Sequence, residues 1–199
     1  MDMPVMDIRP VVLEGRHARL EPLSLAHHEP LAAVLDPTLL QWFPKPATNA
    51  AELREFIAAS LDDQKRGQAL PFATIDRDTG RPVGSTRFGN IDRANRRLEI
   101  GWTWLGRAWQ RTAINTEAKL LMMTHAFEAL GAIRVEFKTD ALNAQSRAAL
   151  ARLGAVEEGY FRSHMIAADG RIRNSVWFSV VESDWRRVKR DLEGKLAAR

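Results

Sequence analysis

The sequence predicts a mixed α/β sheet with helices on both faces, and three observations carry that expectation. The elements read β-αα-βββ-α-β-α-ββ-α, with about seven strands. The middle three strands form a meander, and strand, helix and strand alternate after it, which mixes antiparallel with parallel pairing. No internal repeat, low-complexity tract or long linker divides the 199 residues, so one domain over 1–199 is expected.

Residues 19–23 read as a short first strand, and Ser24 is expected to cap a helix to about Leu35, closed by Asp36-Pro37. The stretch 40–46 is too broken by Pro44 and Pro46 for a helix and too apolar for an idle loop. Asn49 or Thr48 opens a second helix, with Leu53, Phe56, Ile57 and Leu61 at helical spacing, ending near Gly67. Strands follow at 70–76, 82–89 and 96–104, the first two joined by the hairpin signal Asp78-Thr79-Gly80. In the third strand, strict alternation would put Leu98, Ile100, Trp102 and Trp104 on one face and Glu99, Gly101 and Thr103 on the other.

A helix runs from about 113 to Leu130-Gly131 with apolar stripes Ala118/Leu121/Met122 and Leu120/Met123/Phe127/Leu130, the width of a helix packed on a sheet. Ile133, Val135 and Phe137 alternate in the next strand. Asn143 starts a helix that Gly154 stops, and two long strands, 156–167 and 171–182, meet at the turn Asp169-Gly170. Ser183 is expected to cap the last helix, about 183–198.

Composition excludes several classes. With 45% hydrophobic and 27% charged residues the chain is not disordered, and with no Cys it has no disulfide scaffold, thiolate nucleophile or Cys-based zinc site. No apolar run approaches the ~18 residues needed to span a bilayer. The start, residues 1–7, shows no basic and apolar leader pattern, so a cytoplasmic location is expected. The net charge of +4 equals the surplus in the tail, where Arg186, Arg187, Lys189, Arg190, Lys195 and Arg199 face only Asp191 and Glu193. Such a helix is a solvated face or a contact for a ribosome or nucleic acid. No His spacing suggests a metal, so none is expected. His125 falls on an apolar helical face and reads as packed core, while His27 and His28 reach the rim of a site at best.

Three places hold residues suited to chemistry. The stretch Gln110-Arg111-Thr112-Ala113-Ile114-Asn115 opens a helix, whose first N–H groups lack partners and sit at the positive end of the dipole, a natural seat for a diphosphate. Taken alone it is also an ordinary capped helix start. Asn143 and Ser146 share one face of another helix start, where Asn143 alone would read as an N-cap. Glu99 lies on a strand face opposite Leu98 and Ile100, and such a Glu is commonly just solvated.

Together these residues give the chain its likeness. It resembles the GNAT superfamily of acetyl-CoA-dependent N-acetyltransferases, in the branch similar to the RimJ/RimL protein N-terminal acetyltransferases. The similarity covers about 11–185 and is strongest over 109–159, in W-Q-R-T-A-I-N-T-E-A-K, A-F-E-A-L-G-A-I-R-V and N-A-Q-S-R-A-A-L-A-R-L-G-A-V-E-E-G. The resemblance implies a GNAT-like fold in which a Gln/Arg-x-x-Gly-x-Gly/Ala segment wraps the CoA pyrophosphate. Gln110 matches that pattern, while Ala113 and Asn115 replace the glycines, Asn being the residue after Gly most tolerant of left-handed geometry. Arg111 and Thr112 add donors.

The likeness further implies that Asn143 contacts the cofactor arm and that the Ser146 hydroxyl approaches the CoA sulfur, as acid for the departing thiolate. Many relatives place a Tyr acid seven residues after that Asn. Here the position is Leu150, and the single Tyr is Tyr160. Glu99 is implied as general base for the acceptor amine, directly or through water. Main chain near 101–105, including Trp104 and Leu105, is implied to pair with the acetyl carbonyl and pantetheine, and Trp42 with Phe43 to line the acceptor opening.

The expected function is therefore direct transfer of acetyl from acetyl-CoA to a primary amine, plausibly a protein or peptide N-terminus, without an acyl-enzyme. A small amine such as a polyamine or amino acid is the alternative acceptor. A CoA-binding module without turnover is the alternative of another class, with the glycine losses at 113 and 115 as its signature. A ribosome- or nucleic-acid-binding role through the C-terminal helix is the remaining one. A homodimer is the commonest assembly for such a chain, and no membrane partner is expected.

Overall fold

The computed structural model describes residues 6–198, so the first five residues read for a leader and the Arg199 counted in the basic tail lie outside the described residues. Eight strands form one sheet in the order β1-β2-β3-β4-β5-β6-β8-β7. They are β1 (Leu13–Glu14), β2 (Ala18–Pro22), β3 (Leu70–Asp76), β4 (Pro82–Asp92), β5 (Arg97–Leu105), β6 (Arg134–Asp140), β7 (Val156–Ile166) and β8 (Ile172–Val181). Five helices accompany them: α1 (His28–Ala32), α2 (Ala50–Lys65), α3 (Ala113–Thr124), α4 (Ala144–Leu153) and α5 (Glu182–Ala197).

The eighth strand, β1, is too short to show an alternation in sequence. It pairs Leu13 with Leu20. A remote carboxylate holds the turn behind it, since Glu117 of α3 accepts the N–H groups of Arg16 (2.9 Å), His17 (2.5 Å) and Ala18 (2.6 Å). A Cβ on Gly15 would stand 2.4 Å from the Glu117 side chain, so only glycine lets that carboxylate in.

Local signals hold where they are strong. Asn49 caps α2 by accepting from Glu52 N at 3.0 Å, and Asn143 caps α4 by accepting from Ser146 N at 3.0 Å. Gly154 ends α4 in the left-handed region at φ +94°, and Gly170 turns the β7–β8 hairpin at φ +81°.

Elsewhere the elements depart from expectation. The helix expected over 24–35 is a 3-10 turn, Leu25–His27, followed by the five-residue α1, because the N–H groups of Val34 and Leu35 already bond three residues back. After α3 the chain passes through a π-type turn, His125–Ala129, with Leu130 N bonded to His125 O at 2.9 Å. Ile133 precedes β6 and is exposed, leaving Val135 and Phe137 as its inward residues. α5 is capped two residues early, at Val181, so Ser183 lies in its first turn rather than at its cap. Glu182 N there bonds Ile133 O, so a strand-end contact and not a side chain sets the start.

Helices cover both faces. On one, Phe72, Phe88, Leu98, Ile100, Val135, Phe137 and Phe178 pack against Met122, Met123, Phe127, Trp185, Val188 and Leu192 of the α3 and α5 layer. Trp185, Val188 and Leu192 form the buried stripe of α5, so Arg186, Arg187 and Arg190 fall on its exposed side. On the other face, Ala73 and Ile75 pack with Leu31, Leu40, Leu53 and Ile57 of the α1 and α2 layer.

Trp104 belongs to that second core, not to the one holding Leu98 and Ile100. The alternation expected along β5 breaks at Trp102, which stands at φ +48°. Between the pairs Ser85–Trp104 and Arg87–Gly101, two residues of β5 oppose the single Thr86 of β4. One inserted residue reverses the facing of everything beyond it.

Candidate active site

β5 and β6 pair in parallel only across Arg97–Arg134, Leu98–Val135 and Glu99–Glu136. Beyond Glu99 they part, and a cleft of about 710 Å³ fills the gap, within the range of cofactor sites. The parted stretch of β5, residues 100–105, forms one wall, and the end of β6 with the start of α4 forms the other. The start of α3 borders it, as does the loop carrying Trp42 and Phe43. Among the sequence-derived site residues, Glu99, Trp104, Leu105, Gln110, Arg111, Thr112, Asn115, Asn143, Ser146, Trp42 and Phe43 all line this cleft. Ala113 is not among its lining residues.

At the α3 end the chain makes a 3-10 turn, Arg107–Trp109, then an extended Gln110 and a left-handed Arg111 at φ +61°. Thr112 caps the helix, accepting from Ile114 N at 3.3 Å and donating to Trp109 O at 2.7 Å. Asn115 was expected to supply the left-handed geometry. It lies instead in the first turn of α3, because the chain reverses before the cap, at Arg111. Gln110 donates to Leu105 O at 3.1 Å and accepts from Gln145 of α4 at 3.3 Å, so it latches the two walls together. The first turn of α3 carries no acidic residue, and Arg107, Arg111 and Arg152 are among the residues lining the cleft, Arg107 being paired with Asp36 at 2.7 Å. A helix start with no acidic residue and with Arg111 just before its cap suits a diphosphate.

Glu99 marks the opposite end. It is 2% exposed, which corrects the reading of a solvated strand carboxylate. Asn90 Nδ2 donates to its Oε2 at 2.6 Å, and Lys138 Nζ stands 3.8 Å from the same oxygen. Burial raises its pKa above the ordinary glutamate value, while Lys138 and the Asn90 bond oppose the rise. Across the cleft, Asn143 spends Oδ1 on Ser146 N, the local capping role, and still lines the cleft beside Ser146. Leu150 lines the same wall, while Tyr160 is half exposed on the edge strand β7, so no phenol enters.

The loop carrying Trp42 and Phe43 is tied down by a residue that sequence reasoning missed. Arg173 of β8 is buried, donates from Nη1 to Trp42 O at 3.0 Å and from Nε to Ser175 Oγ at 3.2 Å, and lies 3.7 Å from Asp140. Nothing local in the sequence links residue 173 to residue 42. Lys119 was missed as well, although a lysine three residues before the buried Met122, on an inward helical face, was a legible signal. His27 bonds Ser24 and Glu21, His28 meets Ala50 O at 2.7 Å, and neither lines the cleft. His125 is partly buried beside Phe88, its pKa lowered by burial. Among the described residues no His, Cys, Asp and Glu group could hold a metal, and no helix is long and apolar enough to cross a membrane.

A cleft with a helix start at one end and a buried carboxylate at the other suits a group-transfer enzyme with a phosphate-bearing donor. Comparison with known proteins makes that class specific. The acetyltransferase (GNAT) domain family matches residues 17–156. The uncharacterized N-acetyltransferase p20 of Bacillus licheniformis is 30% identical over 140 residues, 70% of this chain and 78% of its own. The ribosomal protein uS5-alanine N-acetyltransferase of Escherichia coli is 27% identical over 122 residues, 61% of this chain and 62% of that enzyme. The crystal structure of a GCN5-related N-acetyltransferase from Brucella melitensis superposes with a TM-score of 0.88 at 33% identity, covering 95% of this chain and 86% of that one. The chain belongs to the GNAT family of acetyltransferases, enzymes that use acetyl-CoA.

Proposed function

We propose that the protein moves acetyl from acetyl-CoA to the α-amino group of a protein or peptide N-terminus, by direct attack and in the cytoplasm. The observation that carries this reading is the buried Glu99 at the far end of a cleft whose other end is built for a diphosphate. Glu99 takes the proton that the attacking amine must lose, directly or through a water. Ser146, on the facing wall, donates to the departing thiolate, with the C–S electron pair leaving on sulfur. Gln110, Arg111, Thr112 and the first N–H groups of α3 hold the pyrophosphate. Main chain of residues 101–105, including Trp104 and Leu105, faces the pantetheine and acetyl group.

The replaced glycines do not argue for binding without turnover. Ala113 is not among the lining residues, and Asn115 keeps right-handed helical geometry, so neither position needs the left-handed backbone for which a glycine would be required. The acceptor class rests on the ribosomal-protein acetyltransferase among the relatives and on the apolar Trp42 and Phe43 at the rim. A thiol-release assay with acetyl-CoA across peptides with free N-termini, polyamines and amino acids tests it. Turnover on peptides above all small amines is the expected result. Faster turnover on a polyamine or free amino acid would replace the acceptor, and no thiol release with any amine would remove the enzyme reading.

A further inference from the structure

Lys119 stands on the inward side of α3, and its side chain ends behind the β5 bulge. Its Nζ donates to Thr103 Oγ1 at 2.5 Å and to Thr86 Oγ1 at 3.1 Å. The two hydroxyls meet at 2.8 Å, and each lies 3.4 Å from the Gly101 carbonyl. One ammonium thus ties α3 to β4 and to β5 on both sides of Trp102, the residue at which β5 bulges.

Lys119 makes no ion pair among the described residues, and burial shifts its ammonium towards neutrality. An aliphatic side chain at this inward position would carry no such cost, so a lysine here spends stability on something else. What it touches is the wall of the cleft where β6 has parted, so that the N–H and C=O groups of β5 on that side, unlike those paired with β4, face no neighbouring strand. Such a bare edge accepts an extended ligand by main-chain hydrogen bonds, provided its course is held.

We propose that Lys119 is a positioning residue for acetyl transfer, holding the main chain of residues 101–103 through Thr86 and Thr103 in the bulged course that receives the acetyl group. The proposal rests on the reading of this cleft as an acetyl-CoA site. Titration calorimetry with CoA and with acetyl-CoA separates the two claims, because only acetyl-CoA carries the group that the bulge would hold. The wild-type protein is expected to bind both.

In Lys119→Met, the Kd for acetyl-CoA should rise about tenfold while that for CoA moves less than about twofold, the size of one lost hydrogen-bonding arrangement. Hydrogen exchange of the segment 97–105 should quicken without a fall in Tm. Thr103→Val, which removes the hydroxyl and keeps the shape, should reproduce the split, and it decides the matter if Lys119→Met does not fold. Equal shifts for both ligands, no shift for either, or unchanged exchange at 97–105 would overturn the role of Lys119. A wild-type protein that binds neither ligand would instead overturn the acetyl-CoA reading, and the role of Lys119 with it.

Discussion

The Glu99 carboxylate reaches forward along its own strand over Gly101, and a Cβ built at residue 101 would stand 2.9 Å from Glu99 Oε1. A two-residue spacing on a strand puts both residues on one face, and the missing side chain at 101 is the space that the carboxylate occupies. The glycine therefore leaves the room in which the carboxylate reaches Asn90.

Gly101→Ala should leave the fold intact and push the carboxylate from its place beside Asn90. We expect kcat to fall about tenfold or more, within the range that a general base contributes, with CoA affinity little changed. Steady-state kinetics beside CoA titration checks this. An unaltered kcat would mean that the position of Glu99 is not critical.

Glu99 is held above the ordinary glutamate pKa mainly by burial. A base must be ionised to accept a proton, so activity should disappear on acidification at a pH above the usual glutamate range. Glu99→Gln should lower kcat by about 10²–10⁴ and remove that acidic limb. A profile that keeps the limb in the variant would assign the base to another group.

Lys119 is shifted the other way, from 10.5 down to about 7, by burial alone. Between those values the unfolded chain binds a proton that the folded chain does not, so this residue makes stability rise with pH across that window. Below about 7 both states hold the proton, and the cost of burying the charge is complete. Lys119→Met should therefore be more stable than the parent at pH 6, with the gap closing towards pH 10. Urea unfolding of both proteins at the two pH values measures it, and a gap independent of pH would count against the assignment.

Glu117 accepts three backbone N–H groups at the turn before β2. Glu117→Ala would strand those donors in a mostly closed site, at a cost of about 3 kcal/mol or more. Thermal unfolding should register a clear fall in Tm. A fall of only a degree or two would show that water replaces the carboxylate.

By itself the sequence determined the elements whose causes are local. Asn49, Asn143 and Gly154 bound helices through bonds and backbone angles reaching only a few residues, and Asp169-Gly170 turns a hairpin in the same way. The segment 110–115 and the pair Asn143 and Ser146 were legible as helix starts for that reason. Tertiary structure decided what depends on partners far along the chain. The facing of Trp104 follows from one residue inserted opposite Thr86, which no alternation within β5 reveals. The burial of Glu99 depends on Asn90 and Lys138 from the two flanking strands, and the left-handed residue fell at Arg111, not Asn115, because the turn had to close before the Thr112 cap. Lys119 and Arg173 gained their places from contacts 16 and 131 residues away, and a side chain's desolvation and hydrogen bonding are set by whatever packing brings to it.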